Sequence, residues 1–342
     1  MHPLCFSAAA LSLHLIQVRE LNPKSVKLAS SSVSVMYNLG LGLSIAEPSA
    51  MPVDDMAKYI RKTAAIEAPR PDRPNECFDL ATPRRWLSSR GPLTAQSLQD
   101  LVESVTYIAR LFYGFRAADL AAVPFPAKGW NRKRGIDEAE LAFWNTKTAA
   151  AVCPADNLWQ RVKVRWLDAG RLVAGLGLER PVAEQLVASC CFLTGLEELR
   201  CRLLPKLQRT TEIEKLQGCK VWARSLLPCV KTSLKNSKAV QFLSATRINK
   251  IVEKCHHEAG LPDMGTAVGF YPRHYRHVAL TMLHFVGCAD QAKEFSLHTK
   301  DSRVFETTYR VQLVDDRFVS RHQQVQLRPG FALLSAAERL LL

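Results

Sequence analysis

Tyr271-Pro-Arg-His-Tyr-Arg-His-Val-Ala-Leu-Thr-Met-Leu283 is the stretch from which the rest of the chain can be ordered. It reads as a helix over Arg276–Val286. Arg276 opens it, the inner face is Val278, Ala279, Met282, Leu283 and Val286, and Gly287 stands at the C-terminal cap. Two more helical segments are expected after it, Ala289–Leu297 and Arg303–Val311, and an apolar, helix-forming end at Phe331–Leu342. Before it, the chain from Pro181 to about Gly260 reads as mainly helical. Further back, Glu140–Trp144 and Trp159–Leu167 read as strands, rich in aromatic and β-branched residues. Thr94–Phe112 is an amphipathic helix, with Leu98, Leu101, Val102, Val105, Ile108, Ala109 and Phe112 recurring at steps of three and four.

The organisation follows from one break. Ala68-Pro-Arg-Pro-Asp-Arg-Pro74 holds three prolines in seven residues, which remove backbone donors and favour an extended connection. Residues 69–75 are therefore expected as a linker. Before it lies a partial helical segment, 1–68, with helices near 8–18, 25–39 and 53–65. After it lie a domain over 76–320 and a tail helix over 321–342. The expected fold class is α+β, mainly α-helical, with a small antiparallel sheet.

Lys and Arg outnumber Asp and Glu by 46 to 32, giving a formal charge of +14 over 342 residues. That surplus suits a polyanionic partner such as nucleic acid or an anionic membrane surface, although a merely basic soluble protein gives the same sum. The ten cysteines are scattered without a Cys-x-x-Cys pair, as expected in a reducing compartment. Cys255, His256, His257 and Cys288 offer metal-ligand chemistry but lack the paired spacing of a zinc site, so no metal is expected. His256 and His257 read more simply as one half-buried and one exposed helix residue. No apolar run is long enough to span a bilayer, and the start lacks a basic region ahead of its apolar residues, so neither membrane insertion nor secretion is expected.

Three segments carry chemistry in a fixed order. They are Tyr113-Gly-Phe-Arg-Ala-Ala-Asp-Leu120 after the long helix, Leu141-Ala-Phe-Trp-Asn-Thr-Lys-Thr148 at a strand end, and the opening stretch followed by His298 and Tyr309. Together they resemble the catalytic core of the tyrosine recombinase (phage-integrase) family. They match its Gly-x-Arg-x-x-(Glu/Asp)-Leu box, its strand-turn lysine, its His-x-x-Arg box, and its later histidine and tyrosine. Phe78-Asp-Leu before Trp86-Leu87, and Ser244–Ile251 followed by Glu258-Ala-Gly-Leu261, are similar to flanking segments of recombinases from eukaryotic mobile elements. The resemblance covers about residues 75–312.

What the resemblance implies is specific. Arg116 and Arg276 would grip the non-bridging oxygens of a scissile phosphodiester, Arg273 would stand beside them, and His298 would align the phosphate. Lys147 would protonate the leaving 5′ oxygen, and Tyr309 would be the nucleophile of a 3′-phosphotyrosine intermediate. The loop cations Arg132, Lys133 and Arg134 would contact DNA phosphates. The implied partners are double-stranded DNA and further copies of the chain, as a tetramer on two DNA sites. The implied place is the nucleus in a eukaryote and otherwise the cytoplasm. No cofactor is implied, because the arginines supply the charge. Two departures from the family pattern stand out: Arg273 occupies the usual histidine position, with His274 beside it, and Tyr309 follows His298 by eleven residues, slightly farther than the family spacing. A decayed, DNA-binding relic of a mobile element and a type IB topoisomerase share these features, and a basic helical scaffold shares the charge. Read without the resemblance, Arg116 is an ion-pair partner of Asp119 or Glu103, and the leucine-rich end is core or a contact with another protomer.

Overall fold

The computed structural model describes residues 78–123, 125–126, 137–144, 159–210, 214–216, 219–223, 227–229, 242–261, 272–297 and 316–342. The chain divides into two units between Arg73 and Pro74, inside the proline-rich segment. The expected segment 1–68 and its helices lie outside the described residues, as do the linker 69–75 and the expected helix 303–311.

Asp79 opens helix α1 (Ala81–Ser89), its Oδ1 accepting the Ala81 N–H at 2.8 Å. The long helix α2 runs Leu98–Phe112, beginning at the first residue of its apolar pattern and later than the expected Thr94. Ser97 caps it: the hydroxyl accepts the Asp100 N–H at 3.2 Å and donates to Asp100 Oδ2 at 2.6 Å. Leu93–Ala95, after Pro92, is a separate 3₁₀ turn instead. Every residue from Leu101 to Phe112 is buried, so α2 is the axle of the domain.

Helix α3 (Ala117–Ala121) and the short strand β1 (Phe125–Pro126) follow. Strands β2 (Glu138–Trp144) and β3 (Trp159–Arg165) pair antiparallel, Leu141 opposite Val162. Their buried residues alternate as a half-buried hairpin requires: Ala139, Leu141 and Phe143 on one strand, Val162 and Val164 on the other. Next come α4 (Ala169–Leu176), α5 (Arg180–Cys190) and α6 (Phe192–Thr210). The segment from Pro181 to Gly260, expected to be mainly helical, then yields a hairpin of β4 (Glu214–Leu216) and β5 (Cys219–Ala223), with β5 also pairing β1. Each strand is too short to show an alternation against its Leu-, Lys- and Glu-rich surroundings; the cue was Gly218 between them.

Helices α7 (Ala245–Glu258), α8 (His274–Phe285), α9 (Ala289–Phe295) and α10 (Asp316–Gln326) complete the set with the short α11 (Ala336–Arg339). Gly287, at φ +79°, ends α8 in a Schellman motif: its N–H bonds the His284 carbonyl at 3.1 Å, and the Cys288 N–H bonds Leu283 at 2.8 Å. The described protein is thus mostly helical with small antiparallel sheets. No described helix is long and apolar enough to cross a membrane.

The tail is not one helix over 321–342. Pro329-Gly330 breaks it, and Phe331–Leu333 forms a 3₁₀ turn before α11. Leu334, Leu340, Leu341 and Leu342 are buried in the domain's own core, the core reading of this end. Glu338 is wholly buried and accepts the Asp168 N–H and the Arg171 Nε–H, each at 3.0 Å.

His322 of α10 lies between Phe285 (ring centroids 4.9 Å apart) and Phe331 (5.5 Å). Burial, helped by the charge of Arg339, holds its pKa below the ordinary 6.5. The unfolded chain therefore binds this proton more readily, and stability falls as pH drops through 6.5 toward the folded value. We expect the melting temperature to fall between about pH 7.5 and about pH 5, and to fall less in His322→Phe. Equal pH slopes in the two proteins, measured by calorimetry, would remove His322 from this role.

Candidate functional site

The site begins where α2 ends. Gly114 follows the last turn at φ +61°, the left-handed region. A Cβ there would stand 3.2 Å from Ala279 Cβ on α8, so the chain turns directly against that helix. The Gly114 carbonyl accepts a hydrogen bond from Arg276 Nη1 at 2.8 Å. Phe115, fully buried, locks the next residue. Its ring stacks on Tyr113 (5.6 Å) and meets Phe143 (5.0 Å) and Phe295 (5.9 Å). Arg116 then takes the N-cap position of α3.

Both predicted arginines reach one atom. Arg116 Nη1 lies 3.4 Å from the Ser296 carbonyl oxygen, and Arg276 Nη2 donates to the same oxygen. Arg276 sits in the first turn of α8 and is 4% exposed; Arg116 is half-buried. Residues 160 positions apart in sequence are thereby brought onto one carbonyl. Arg116 also pairs with Asp119 Oδ2 at 3.3 Å. The alternative partner, Glu103, instead takes Lys254 at 2.7 Å and Arg90 at 3.3 Å.

A third guanidinium stands behind them. Arg110 is wholly buried in α2 and donates to the Phe115 carbonyl and the Pro272 carbonyl, tying the turn that carries Arg116 to the start of α8. Burial, then the charge of Arg276, pulls its pKa down to about 10. The carboxylate beside the three is Asp119, whose pKa burial raises despite the arginines around it. Arg110 gave no signal in sequence: it falls on the polar side of the long helix, in line with Glu103 and Thr106 at steps of three and four. Ser296 contributes a backbone oxygen, for which no residue pattern exists.

The Ser296 corner is fixed from below. Its hydroxyl donates to the Lys293 carbonyl at 2.6 Å, and Leu297 follows with φ +54°, a left-handed conformation that costs a non-glycine residue about 1–2 kcal/mol. Strand β3 docks here: the Lys163 N–H bonds Glu294 Oε1 at 2.8 Å, and Gln160 Nε2 lies 3.5 Å from the Leu297 carbonyl. The site therefore has two arginines on a rigid frame of α2, α8 and α9, with a hairpin strand attached. Paired planar forks of this kind suit a tetrahedral oxyanion.

The other predicted residues divide into two groups. Arg273 is exposed at the N-cap of α8, and its side chain makes no hydrogen bond or ion pair among the described residues. His274, beside it, is buried against Phe78 with centroids 6.3 Å apart. Lys147, His298, Tyr309, Arg132, Lys133 and Arg134 lie outside the described residues; β2 ends three positions before Lys147, and Leu297 directly precedes His298. Of the pair expected as one exposed and one half-buried residue, His257 is exposed and His256 is fully buried, its Nδ1 meeting the Tyr275 hydroxyl at 2.6 Å, while Tyr275 in turn meets Tyr107 at 3.2 Å. No His, Cys, Asp and Glu group among the described residues could hold a metal ion.

Gly114→Ala should lower stability by about 2 kcal/mol, from the positive φ and the crowding at Ala279. Urea denaturation tests this; an unchanged midpoint would mean that the turn relaxes freely. No protein-family model, curated protein or solved structure matches this chain.

Proposed function

We propose that this protein cuts and rejoins DNA through a covalent tyrosine–phosphate bond, in the manner of the tyrosine recombinases that its motifs resemble. The observation that carries the reading is the convergence of Arg116 and Arg276 on the Ser296 carbonyl, two residues before His298. In the proposed reaction the two guanidiniums hold the non-bridging oxygens of the scissile phosphate, where charge grows in the transition state. Tyr309 gives its phenolic proton to water and attacks phosphorus, and the positive charge of the arginines makes that loss easier. The bond to the 5′ oxygen breaks, and Lys147 gives that oxygen its proton. Attack by a 5′ hydroxyl on the phosphotyrosine reverses the sequence and rejoins a strand without external energy. The formal charge of +14 and the basic run Arg132, Lys133 and Arg134 suit duplex phosphates, and recombination would assemble four copies on two sites.

A second reading, DNA binding without cleavage, draws on the top of α8. Arg273 replaces the histidine of the family pattern, and His274 is held in the packing around Phe78. An arginine donates to phosphate but takes no proton at neutral pH. Nicked duplexes from the flanking DNA, incubated with the protein in the presence of a chelator, separate the two. A protein–DNA adduct that survives denaturant supports cleavage; salt-sensitive binding with no adduct supports the second reading.

A further inference from the structure

Several arginines of the described protein have an acidic partner. Arg90 pairs with Asp100, Arg171 with Glu338, Arg180 with Glu184, Arg200 with Glu197 and Arg202 with Glu198. Four that do not share one cleft. Arg84 and Arg85 project from α1, Arg321 from α10, and Arg328 follows just after that helix. They line a cavity of about 810 Å³ whose acidic lining residue is Asp79. None of them belongs to the Ser296 site.

Their hydrogen bonds go to main-chain and hydroxyl oxygens. Arg84 Nη1 donates to the Leu342 carbonyl at 2.8 Å and to that of Leu341, Arg321 Nη1 reaches Leu342 at 3.5 Å, and Arg85 Nη2 donates to Thr82 Oγ1 at 3.2 Å. The Arg328 side chain makes no hydrogen bond or ion pair among the described residues. Even with a carboxylate at Leu342 counted beside Asp79, two guanidiniums remain in excess. Burial, with the charge of Arg321 adding, lowers the Arg84 pKa, so the cleft holds like charges in a partly desolvated place. The backbone makes room for this. Gly177 ends α4 at φ +65°, and a Cβ there would collide with the Arg328 guanidinium.

Gathering cations costs free energy unless an anion neutralises them. We propose that this cleft binds a phosphate-bearing ligand through Arg84, Arg85, Arg321 and Arg328. Its volume falls in the range of small-molecule sites, about 300–1,000 Å³, and its planar donors match phosphate oxygens two at a time. A free polyphosphate compound and a nucleic-acid backbone both present this chemistry. The inference does not depend on strand cleavage, and it would stand if the Ser296 site proved inert.

Inorganic pyrophosphate is the probe, titrated calorimetrically into the full chain at low salt. The paired variant Arg321→Gln, Arg328→Gln removes two exposed guanidiniums and should weaken binding about a hundredfold, about tenfold for each charged donor lost. Arg161→Gln with Arg165→Gln, on exposed β3 positions, removes the same charge elsewhere and should leave binding within about twofold. Gly177→Ala keeps every charge but displaces Arg328, and should cost about tenfold. A wild type that binds pyrophosphate no tighter than the cleft variant would overturn the proposal, as would an equal loss in the β3 pair. A short duplex then identifies the source. If the salt dependence of duplex binding drops by about two phosphates in the cleft variant, the backbone is the ligand; an unchanged dependence assigns the cleft to a free polyphosphate compound.

Discussion

Arg276→Lys is expected to reduce covalent adduct formation on nicked duplex about a thousandfold in single-turnover measurements, at the upper end of the loss seen when one oxyanion donor is removed. The size follows from geometry. Arg276 spans two acceptors, the Gly114 and Ser296 carbonyls, from a position 4% exposed on α8. Lysine keeps the charge but has a single nitrogen, which cannot hold both carbonyls and face a phosphate as a planar fork. The same change leaves a buried acceptor short of a donor, so some stability is lost as well, about 1–3 kcal/mol. Adduct rates must therefore be compared at a temperature where both proteins are folded. A variant that is less stable but forms adduct at the wild-type rate would confine Arg276 to bracing α8 against the Gly114 turn.

Glu338→Ala should cost much stability, about 3–5 kcal/mol, because it removes a buried carboxylate partner of Arg171 and leaves two amides unpaired. The Glu338 carboxylate accepts from Asp168 N–H, Arg171 Nε and, at 2.7 Å, the Ser335 N–H of its own capping box. Arg171 keeps Asp137 Oδ2 at 2.7 Å and the Trp166 carbonyl at 2.9 Å, so it stays in place with its charge less well matched. For a unit of this size the melting temperature should fall by about 10 °C. Glu338→Gln, which can still accept hydrogen bonds, should lose less. If alanine costs under about 1 kcal/mol, the pair behaves as a surface ion pair and the tail is not held as described.

How much of this was legible in the sequence depends on the range of the signal. The long helix, the β2–β3 hairpin and the Gly287 cap follow from local periodicity and a glycine, and they form as those cues indicate, with element ends shifted by two to four residues. The N-terminus of α2 shifted to Ser97 because a capping hydroxyl outweighs the helix propensity of Thr94–Gln96. The β4–β5 hairpin escaped because strands of three and five residues leave too few alternations to see. The leucines of the tail suggest one helix, and Pro329-Gly330 breaks it.

For the site, residue type and order named Arg116 and Arg276, and only the fold could place them on one oxygen. Arg110 lies on the polar side of the helical pattern, with Glu103 and Thr106, and only the fold buries it. The arginine cleft had no linear trace at all, since its members come from two helices more than 200 residues apart and no pattern joins them.

The central claim is tested most directly by mapping the covalent bond. Protein trapped on a nicked suicide duplex is digested with protease and nuclease, and the nucleotide-bearing peptide is identified by mass spectrometry. The account predicts one modified peptide, with the 3′ phosphate on Tyr309, and no adduct from Tyr309→Phe. A phosphate on any other residue, or an adduct that persists in Tyr309→Phe, would contradict it.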